Sequence, residues 1–452
     1  LLDYIEEIRL HGASDLAVSA WIGEIADRLP ALIKQAKIMN AKYDVCVTNP
    51  PYMGKRNMSE SLSKFIKSRF SDASIDLFST CIKTGFKLIK HDGYNCMVTM
   101  QSWMFLSSFE KFRENIMQNH TICNLIHLDN MVMRIAFGTC VAVFNYAHIS
   151  RFKANYHHIQ LADINSNGNP YTFPIKGRKI ISREAEVFNK IPGKPIAYSI
   201  SEKFIETFES GVLLGRIADS KQGLATADNN KFLREWYEVN YQDIFFTANN
   251  IEEAKDSHYK WFPYNKGGEY RKWYGNNDYI INWKHNGYEI KHFVDTKGKL
   301  RSRPQNLQYM CKSSVTWSDV TSGTNAFRYK SIGHFFDITG MSLFSDTYLF
   351  YLLSLCNTKI TTKVLEVIAP TMHCQCGDVA NIPVIIKKQI RPIIETLCKK
   401  NINISRADWN SFETSWDFQR HPLVRPVSRL ADAYTAWKSE CEQRFLQLKA
   451  NE

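Results

Sequence analysis

The first 150 residues carry alternating blocks of apolar and polar positions that are typical of an α/β domain. Apolar residues alternate with others from Tyr43 to Thr48, which predicts a short buried strand. Pro50 and Pro51 fix φ and cannot donate to a ladder, so this strand has to end at Asn49. The same periodicities predict helices over 75–89 and 107–119 and strands over 94–100, 122–128 and 140–146. Ser74 is expected to cap the first helix, Gly93 stands just past its end, and Ser107 to Glu110 form a capping box that opens the second. Ligands of an open α/β sheet bind beside the carboxyl ends of its strands, and Asn49 lies at such an end.

Beyond residue 150 the pattern changes twice. Turn residues are frequent over 150–200, which indicates a connection between domains. Short aromatic and β-branched runs then predict a mixed α/β domain over 201–385, and helical patterns dominate over 386–452. We therefore expect three regions, 1–200, 201–385 and 386–452, in a chain long enough for two or three cores.

The start of the chain has a distinctive pattern. Leu1 stands in place of Met, and Leu2, Ile5 and Ile8 open an amphipathic pattern at once. A cut through a longer polypeptide would start in this way, so we expect a C-terminal fragment. The Tyr43–Thr48 strand would then lie at an open edge of its sheet, where it is prone to pairing and aggregation.

Composition and charge narrow the classes of partner. With 44% hydrophobic and 23% charged residues, the chain is typical of a globular protein. No apolar stretch reaches the roughly 18 residues of a membrane helix, and acidic residues near the start argue against a secretory signal. A cytoplasmic protein without a membrane partner is expected. The 57 Lys plus Arg exceed the 45 Asp plus Glu, and the resulting charge of +12 favours nucleic acid as the partner.

The eleven cysteines are an odd number scattered over apolar segments, which indicates reduced thiols rather than a disulfide framework. Only His373, Cys374 and Cys376 lie close enough together to suggest a metal. Four ligands at zinc spacing are missing around them, so packing is favoured and no metal site is expected.

Asn49-Pro50-Pro51-Tyr52 is the most informative sequence in the chain. An exocyclic purine amine is a poor nucleophile because its lone pair is delocalised. Its site therefore has to accept hydrogen bonds from both of its N–H groups and aim the nitrogen at an electrophile. The Asn49 side chain and the Pro50 main chain each offer a carbonyl oxygen, and neither proline has an N–H to compete. Tyr52 offers an aromatic face for a base extruded from a duplex. The alternative is a proline-rich turn after a core strand.

Residues 255–303 form a second candidate region. They include eleven Lys or Arg against five Asp or Glu, together with eleven aromatic residues. Cations neutralise phosphates and amides read base edges, which favours a DNA-binding surface. The side chains concerned are Lys266, Arg271, Lys272, Arg301, Arg303, Asn276, Asn277 and Asn282. The alternative is an ordinary domain with aromatic residues in its core and lysines in solvent.

The Asn49–Tyr52 motif resembles the catalytic motif of amino-methyltransferases that act on adenine in DNA, and it also occurs in relatives that modify RNA bases or a protein glutamine amide. Segments over 222–232, 260–276 and 415–423 make nearly the whole chain similar to the PglX-type adenine-specific methyltransferases of phage-exclusion (BREX) systems. The resemblance implies S-adenosylmethionine as the methyl donor, double-stranded DNA as the substrate and other BREX defence proteins as partners. The implied fold is α/β: the second half of a methyltransferase sheet, a mixed α/β target-recognition domain and a helical C-terminal region.

The resemblance also implies roles for individual residues. Asn49, Pro50, Pro51 and Tyr52 would be catalytic, and Asn49, Asp76 and Phe78 would contact the cofactor. Asp76 is equally compatible with a first-turn anion of a helix, and Phe78 with a core position. Contacts with DNA are implied for Thr226, Asn229, Lys266, Arg271, Lys272, Trp273, Asn276 and Arg301.

The chain departs from the family pattern in two places. Ala227 stands where the family usually has Gly. Family members also carry a glycine-rich loop before the motif strand, yet residues 1–42 contain only Gly12 and Gly23. We therefore expect this chain alone to bind the donor weakly and to be inactive.

Three alternatives remain open. The chain can be a non-catalytic DNA-recognition fragment or adaptor, or part of a methyltransferase for RNA or a protein amide. A nuclease attached to the same protein has no support from any cluster of paired carboxylates and lysine in this sequence.

Overall fold

The computed structural model describes Glu7 and residues 16–321, 323–370 and 372–452. The chain divides into two compact units. The first comprises 1–189 with 193–200, and the second comprises 190–192 with 201–452.

The first unit is built on a mixed six-stranded sheet with the strand order β1-β2-β4-β3-β5-β6. Its strands are β1 Tyr43–Thr48, β2 Ile89–Met100, β3 Thr121–Leu128, β4 Thr139–Asn145, β5 Lys153–Ile159 and β6 Ile181–Glu184. Its helices are α1 Leu16–Asn40, α2 Glu60–Arg69, α3 Leu77–Leu88, α4 Ser102–Phe105 and α5 Glu110–Asn119. The α/β class expected from the sequence is confirmed, and so are the predicted strands within a few residues.

Four strands of this sheet run in one direction. β1 is parallel to β2 and β3 is parallel to β5, while β4 is antiparallel to both β2 and β3. The carboxyl ends of β1, β2, β3 and β5 therefore lie along one edge, which we call the carboxyl edge. Loops that follow these four strands converge there.

β1 lies at the end of the sheet and, among the described residues, pairs only with β2. The expected edge position is thus found, but the expectation of a buried strand is wrong. Val45 is 50% exposed and Val47 is 72% exposed. Burial depends on which elements cover a strand, and the alternating pattern of β1 carries no information about that.

The predicted helix over 75–89 forms as α3, with different end signals. Asp76, rather than Ser74, caps its start by accepting a hydrogen bond from the main-chain N–H of Phe78 at 3.3 Å. Gly93 does not stop the helix but lies inside β2. A Cβ at this position would come within 2.9 Å of the Asp44 main-chain oxygen, so the close approach requires glycine. Likewise, no side chain caps α5, and Ser107–Phe109 form a 3-10 turn before it.

The second unit contains two four-stranded sheets, ordered β14-β10-β11-β9 and β13-β12-β15-β8, and the pair β16-β7. Its strands are β7 Val212–Leu213, β8 Asp219–Lys221, β9 Leu233–Glu235, β10 Trp261–Asn265, β11 Tyr279–Asn282, β12 Ser314–Thr316, β13 Arg328–Lys330, β14 Phe335–Phe336, β15 Ser342–Phe344 and β16 Pro383–Val384. Its helices are α6 Glu202–Ser210, α7 Asn229–Phe232, α8 Ile251–Asp256, α9 Lys284–Lys291, α10 Leu349–Cys356, α11 Lys359–Ile368, α12 Cys376–Ala380, α13 Arg391–Trp409 and α14 Leu430–Asn451.

Aromatic side chains dominate the core of the second unit. Phe262, Tyr264, Trp283 and Phe335 are at most 1% exposed and pack in one cluster. Most aromatic residues of β10 and β11 therefore build the interior, which leaves the charged residues of 255–303 to form the surface. The expected helices after residue 386 are found as α13 and α14. None of the helices in the described part of the chain has the length and apolar character needed to cross a membrane.

The exposed edge of β1 generates a prediction. We expect Val47→Lys to reduce self-association of this chain, because a lysine on an edge strand opposes pairing with another strand. Light scattering during size-exclusion chromatography at increasing protein concentration measures the effect. Gln118→Lys on the exposed face of α5 is the charge-matched control. Equal self-association of Val47→Lys and the control variant would contradict the prediction.

Candidate active site

The Asn49–Tyr52 loop follows β1 at the carboxyl edge of the first sheet. The Tyr52 hydroxyl lies 3.0 Å from Asn49 Oδ1 and 3.2 Å from the Val98 main-chain oxygen, so its single proton is shared between two acceptors. One acceptor belongs to the loop and the other to β2. The phenol therefore holds the Asn49 carboxamide at a fixed place above the sheet.

Asp76 ties the loop to the start of α3. Its Oδ1 accepts hydrogen bonds from the main-chain N–H of Met53 at 2.9 Å and of Phe78 at 3.3 Å. The N–H of Leu77 in turn donates to the Met53 carbonyl at 3.0 Å. One carboxylate thus caps the helix and anchors the residue that follows Tyr52.

Aromatic rings surround Tyr52 in edge-type contacts. The centroid of Phe78 lies 6.1 Å away with the rings at 87°, and the centroid of Phe137 lies 6.0 Å away at 66°. Phe78 is fully buried and stacks on Phe109, whereas Phe137 is 41% exposed. Sequence reasoning missed Phe137, whose only sequence signal is an aromatic residue just before the predicted strand over 140–146.

Burial raises the pKa of Tyr52, with a smaller contribution from Cys140. A raised pKa keeps the phenol protonated at neutral pH, so that it remains a hydrogen-bond donor to Asn49 Oδ1. That oxygen has a second lone pair, which can accept a hydrogen bond from a substrate N–H.

A polar cluster lies further along the carboxyl edge. Gln101, directly after β2, is joined through Oε1 to His127 Nε2, and His127 Nδ1 lies 2.8 Å from the Tyr198 hydroxyl. His127 and His158 stack with centroids 4.8 Å apart at 8°, and His158 Nε2 lies 2.8 Å from Asp129 Oδ1. The sequence gives no hint of this cluster, because its members come from separate strands.

His127, Asp129 and His158 also offer ligand atoms within 4.8 Å of one another, a spacing compatible with a metal ion. Hydrogen bonds already engage both ring nitrogens of His127 and the Nε2 of His158. Desolvation lowers the pKa of His127 to about 4, with a further effect from His158, so the ring is neutral near pH 7. A hydrogen-bonded network accounts for this cluster without a metal.

The residues expected to contact the cofactor are engaged within the protein fold. Asp76 binds two main-chain N–H groups of the loop and helix, and Phe78 is completely covered. Asn49 remains exposed and turns its Oδ1 toward Tyr52. Asp76 and Phe78 thus fit the role of supporting the loop, while their contact with a cofactor stays a prediction.

The eight residues expected to contact DNA all lie in the second unit, in three kinds of environment. Asn229 and Arg301 are exposed and Lys266 is half-buried. Arg271 pairs with Asp408 at 3.3 Å and Lys272 pairs with Glu452 at 3.1 Å. The remaining three, Thr226, Trp273 and Asn276, are buried.

The buried members hold local structure together. The Thr226 hydroxyl donates to Asn229 Oδ1 at 2.6 Å, Trp273 Nε1 donates to Glu452 at 2.8 Å, and Asn276 Nδ2 donates to the Glu269 carbonyl at 3.0 Å. Contact with DNA stays a prediction for all eight residues. It is least compatible with the burial of Thr226, Trp273 and Asn276.

Lys330 is a residue that sequence reasoning missed. It is 1% exposed, and its Nζ donates to the carbonyl oxygens of Gly275 at 3.0 Å and Asn276 at 2.8 Å and to the side chain of Asn277. Burial lowers its pKa. This buried lysine binds three successive residues and thereby organises the turn between Trp273 and β11, which carries several of the predicted DNA contacts.

The chain is similar in sequence to a known family and to two curated proteins. The Eco57I restriction-modification methylase family matches residues 14–132. The adenine-specific methyltransferase PglX of Lacticaseibacillus casei (strain Zhang) is 36% identical over 449 residues, which cover 93% of this chain and 36% of that protein. The adenine-specific methyltransferase BrxX of Escherichia coli O9:H4 (strain HS) is 34% identical over 434 residues, which cover 94% of this chain and 34% of that protein.

The chain therefore spans about a third of the length of these two curated relatives. Among solved structures, the Type IIL restriction-modification enzyme MmeI in complex with DNA is similar in fold, with a TM-score of 0.53 and 11% sequence identity. The match covers 90% of this chain and 53% of the MmeI chain. At that identity the likeness concerns the fold alone. Along nearly all of its residues the chain is similar in sequence to the adenine-specific methyltransferases PglX and BrxX.

Proposed function

We propose that this chain is the part of a site-specific DNA adenine methyltransferase that holds the target amine and reads the DNA sequence. The observation that carries the proposal is the Tyr52 hydroxyl, which bonds Asn49 Oδ1 and the Val98 carbonyl at the carboxyl edge of the sheet. It holds an amide acceptor beside an aromatic ring, and an extruded base is recognised through hydrogen bonds to its edge and through stacking on such rings.

The chemistry proposed is placement rather than strong base catalysis. Asn49 Oδ1 and the Pro50 carbonyl each accept a hydrogen bond from one N–H of the adenine amine. These two bonds orient the nitrogen lone pair toward the methyl group of the donor. Tyr52 and Phe137 offer aromatic surfaces for the base. Exclusion of water from the amine and the methyl group then favours transfer.

S-adenosylmethionine would supply the methyl group in this proposal: its sulfur–methyl bond would break as the nitrogen–methyl bond forms, S-adenosylhomocysteine would leave, and the surplus proton of the amine would pass to solvent. The described residues of this chain contribute the side of the site that holds the base, because Asp76 and Phe78 serve the loop itself. Double-stranded DNA is the proposed substrate. Cytoplasmic phage defence with other BREX proteins is the proposed context.

The second unit is proposed to choose the methylated sequence. Arg301 is exposed, with its guanidinium 4.8 Å from the Phe293 ring centroid, and Lys266 Nζ lies 5.2 Å from the Tyr279 centroid. Aromatic rings beneath these two cations orient them while leaving their N–H groups available for phosphates.

A second candidate function is a DNA-recognition adaptor without methyl transfer. The engagement of Asp76 and Phe78 within the fold favours it for the isolated chain. Methyl transfer by the full gene product separates the two, since an adaptor would bind DNA and leave adenine unmodified.

The first prediction concerns the methyl donor. We expect isothermal titration of this chain with S-adenosylmethionine to show no micromolar binding, because residues 1–42 contain only two glycines and no glycine-rich loop. Titration of the full gene product is the control. Micromolar binding by the chain itself would overturn this expectation.

The second prediction concerns the amine acceptor. We expect Asn49→Ala in the full gene product to lower methyl transfer by at least about 100-fold, because the amine loses the acceptor that orients it. Incorporation of radiolabelled methyl groups into DNA measures the rate. Asn57→Ala, in the exposed turn after the loop, is the matched control. Wild-type activity in Asn49→Ala would sink the proposed role.

The third prediction concerns DNA binding. We expect Arg301→Gln to weaken binding of this chain to duplex DNA and to reduce the slope of log affinity against log salt by about 0.9, the value for one lost phosphate contact. Fluorescence anisotropy at several salt concentrations gives the slope. Lys363→Gln, an exposed cation paired with Glu366, is the control. An unchanged slope in Arg301→Gln would exclude a phosphate contact at that residue.

A further inference from the structure

Gln101 lies beside the proposed base site. It follows β2 directly, three residues after the Val98 carbonyl that accepts from Tyr52. Its main-chain N–H donates to the Gly138 carbonyl at 3.1 Å. A Cβ at Gly138 would lie 2.3 Å from the Gln101 carboxamide, so the amide packs directly on the glycine. Gly138 adjoins Phe137, whose ring contacts Tyr52.

His127 determines which end of the Gln101 carboxamide is free. Because Gln101 Oε1 is an acceptor, the His127 Nε2 that faces it has to carry the proton. In the neutral ring Nδ1 is then the acceptor, and the Tyr198 hydroxyl at 2.8 Å donates to it. These hydrogen bonds run in one direction, from Tyr198 through His127 to Gln101.

The surroundings of His127 favour this neutral form. Desolvation lowers the pKa of its imidazole, while desolvation also raises the pKa of the Tyr198 phenol. The neighbouring His158 ring stacks on His127 and is itself held by Asp129. The Tyr198 hydroxyl and the His127 Nε2 therefore both keep their protons near pH 7.

The Gln101 carboxamide is thus left with unused donors. Its oxygen is bound by His127, and no group among the described residues accepts a hydrogen bond from its Nε2. Glutamine otherwise pairs with adenine by donating and accepting together. Here one lone pair of the oxygen is engaged by His127 and Nε2 has no acceptor among the described residues, so the N–H groups are the part of this side chain that lacks a partner.

We propose that Gln101 donates a hydrogen bond from Nε2 to a ring nitrogen of the target adenine next to its amine, either N1 or N7, and thereby helps to select the base. The inference rests on the proposed function, because it assumes that an adenine enters beside Tyr52. Both N1 and N7 of adenine are acceptors. Guanine carries a proton on N1, so a donor to N1 selects adenine over guanine, whereas a donor to N7 selects purines over pyrimidines. His127 and Tyr198 act as positioning residues that hold the carboxamide in this orientation.

The test combines variants with base analogues in the full gene product. Sequencing of methylated DNA from the wild type first identifies the target site, and duplexes with adenine, 7-deazaadenine or 1-deazaadenine at that position are then compared. We expect Gln101→Met to lower kcat/KM on adenine by about 10-fold or more, the effect of a lost hydrogen bond to the base. On the analogue that lacks the accepting nitrogen, the variant and the wild type should have nearly equal kcat/KM.

Gln101→Glu provides a second variant of the same shape without an amide donor, and it should show the same selectivity among the three duplexes. Tyr198→Phe should reduce kcat/KM in the same pattern but less, which a purely structural role would not produce. Gln118→Met, on the exposed face of α5, is the matched control, and thermal unfolding midpoints confirm folding of every variant.

Two results would overturn the inference. One is wild-type kcat/KM on adenine in both Gln101 variants. The other is a loss of equal size on all three duplexes, which would mean that Gln101 acts on the fold rather than on a ring nitrogen. Absence of methyl transfer by the wild type is a distinct outcome, since it contradicts the proposed function itself and with it the premise of this inference.

Discussion

The Asp76 carboxylate is the contact on which the candidate site depends. It caps α3 through the N–H of Phe78 and at the same time binds the N–H of Met53, next to the tyrosine of the Asn-Pro-Pro-Tyr loop. The prolines have no N–H to donate to a ladder, so the loop is held by contacts from outside it. A helix that is packed into the first unit supplies that support, and the acceptors of the loop are placed before any substrate binds.

Two sets of side chains extend from this loop along the carboxyl edge. Phe78 and Phe137 contact the Tyr52 ring from different elements, one buried and one partly exposed. Beyond them, partly buried polar groups around His127 form a network whose hydrogen bonds are directional. Apolar surface thus lies beside a set of oriented polar groups, a composition usual for small-molecule binding sites.

The elements of the first unit were largely predictable, because local signals define them. Pro50 and Pro51 end β1 wherever the strand packs, and apolar periodicity marks α3 and the central strands. The predictions that were wrong concern features that depend on neighbours in space. Exposure of Val47 follows from the edge position of β1, and Gly93 serves a close approach to Asp44 rather than a helix end.

The same distinction holds for the candidate site residues. Asn49 and Tyr52 could be proposed from the sequence because their chemistry lies in one contiguous motif. Gln101 and His127 could not, because sheet pairing alone brings residues 26 positions apart into contact. In the second unit, composition pointed to a basic surface, yet it could not tell that Trp273 would be buried or that Lys330 would support the turn beside it.

The most direct test of the central claim is nucleoside mass spectrometry of duplex DNA incubated with the full gene product and S-adenosylmethionine that carries a deuterated methyl group. The account predicts that the label appears on the exocyclic nitrogen of adenine. Label on cytosine, on RNA supplied in competition or on protein, with none on adenine of DNA, would contradict it.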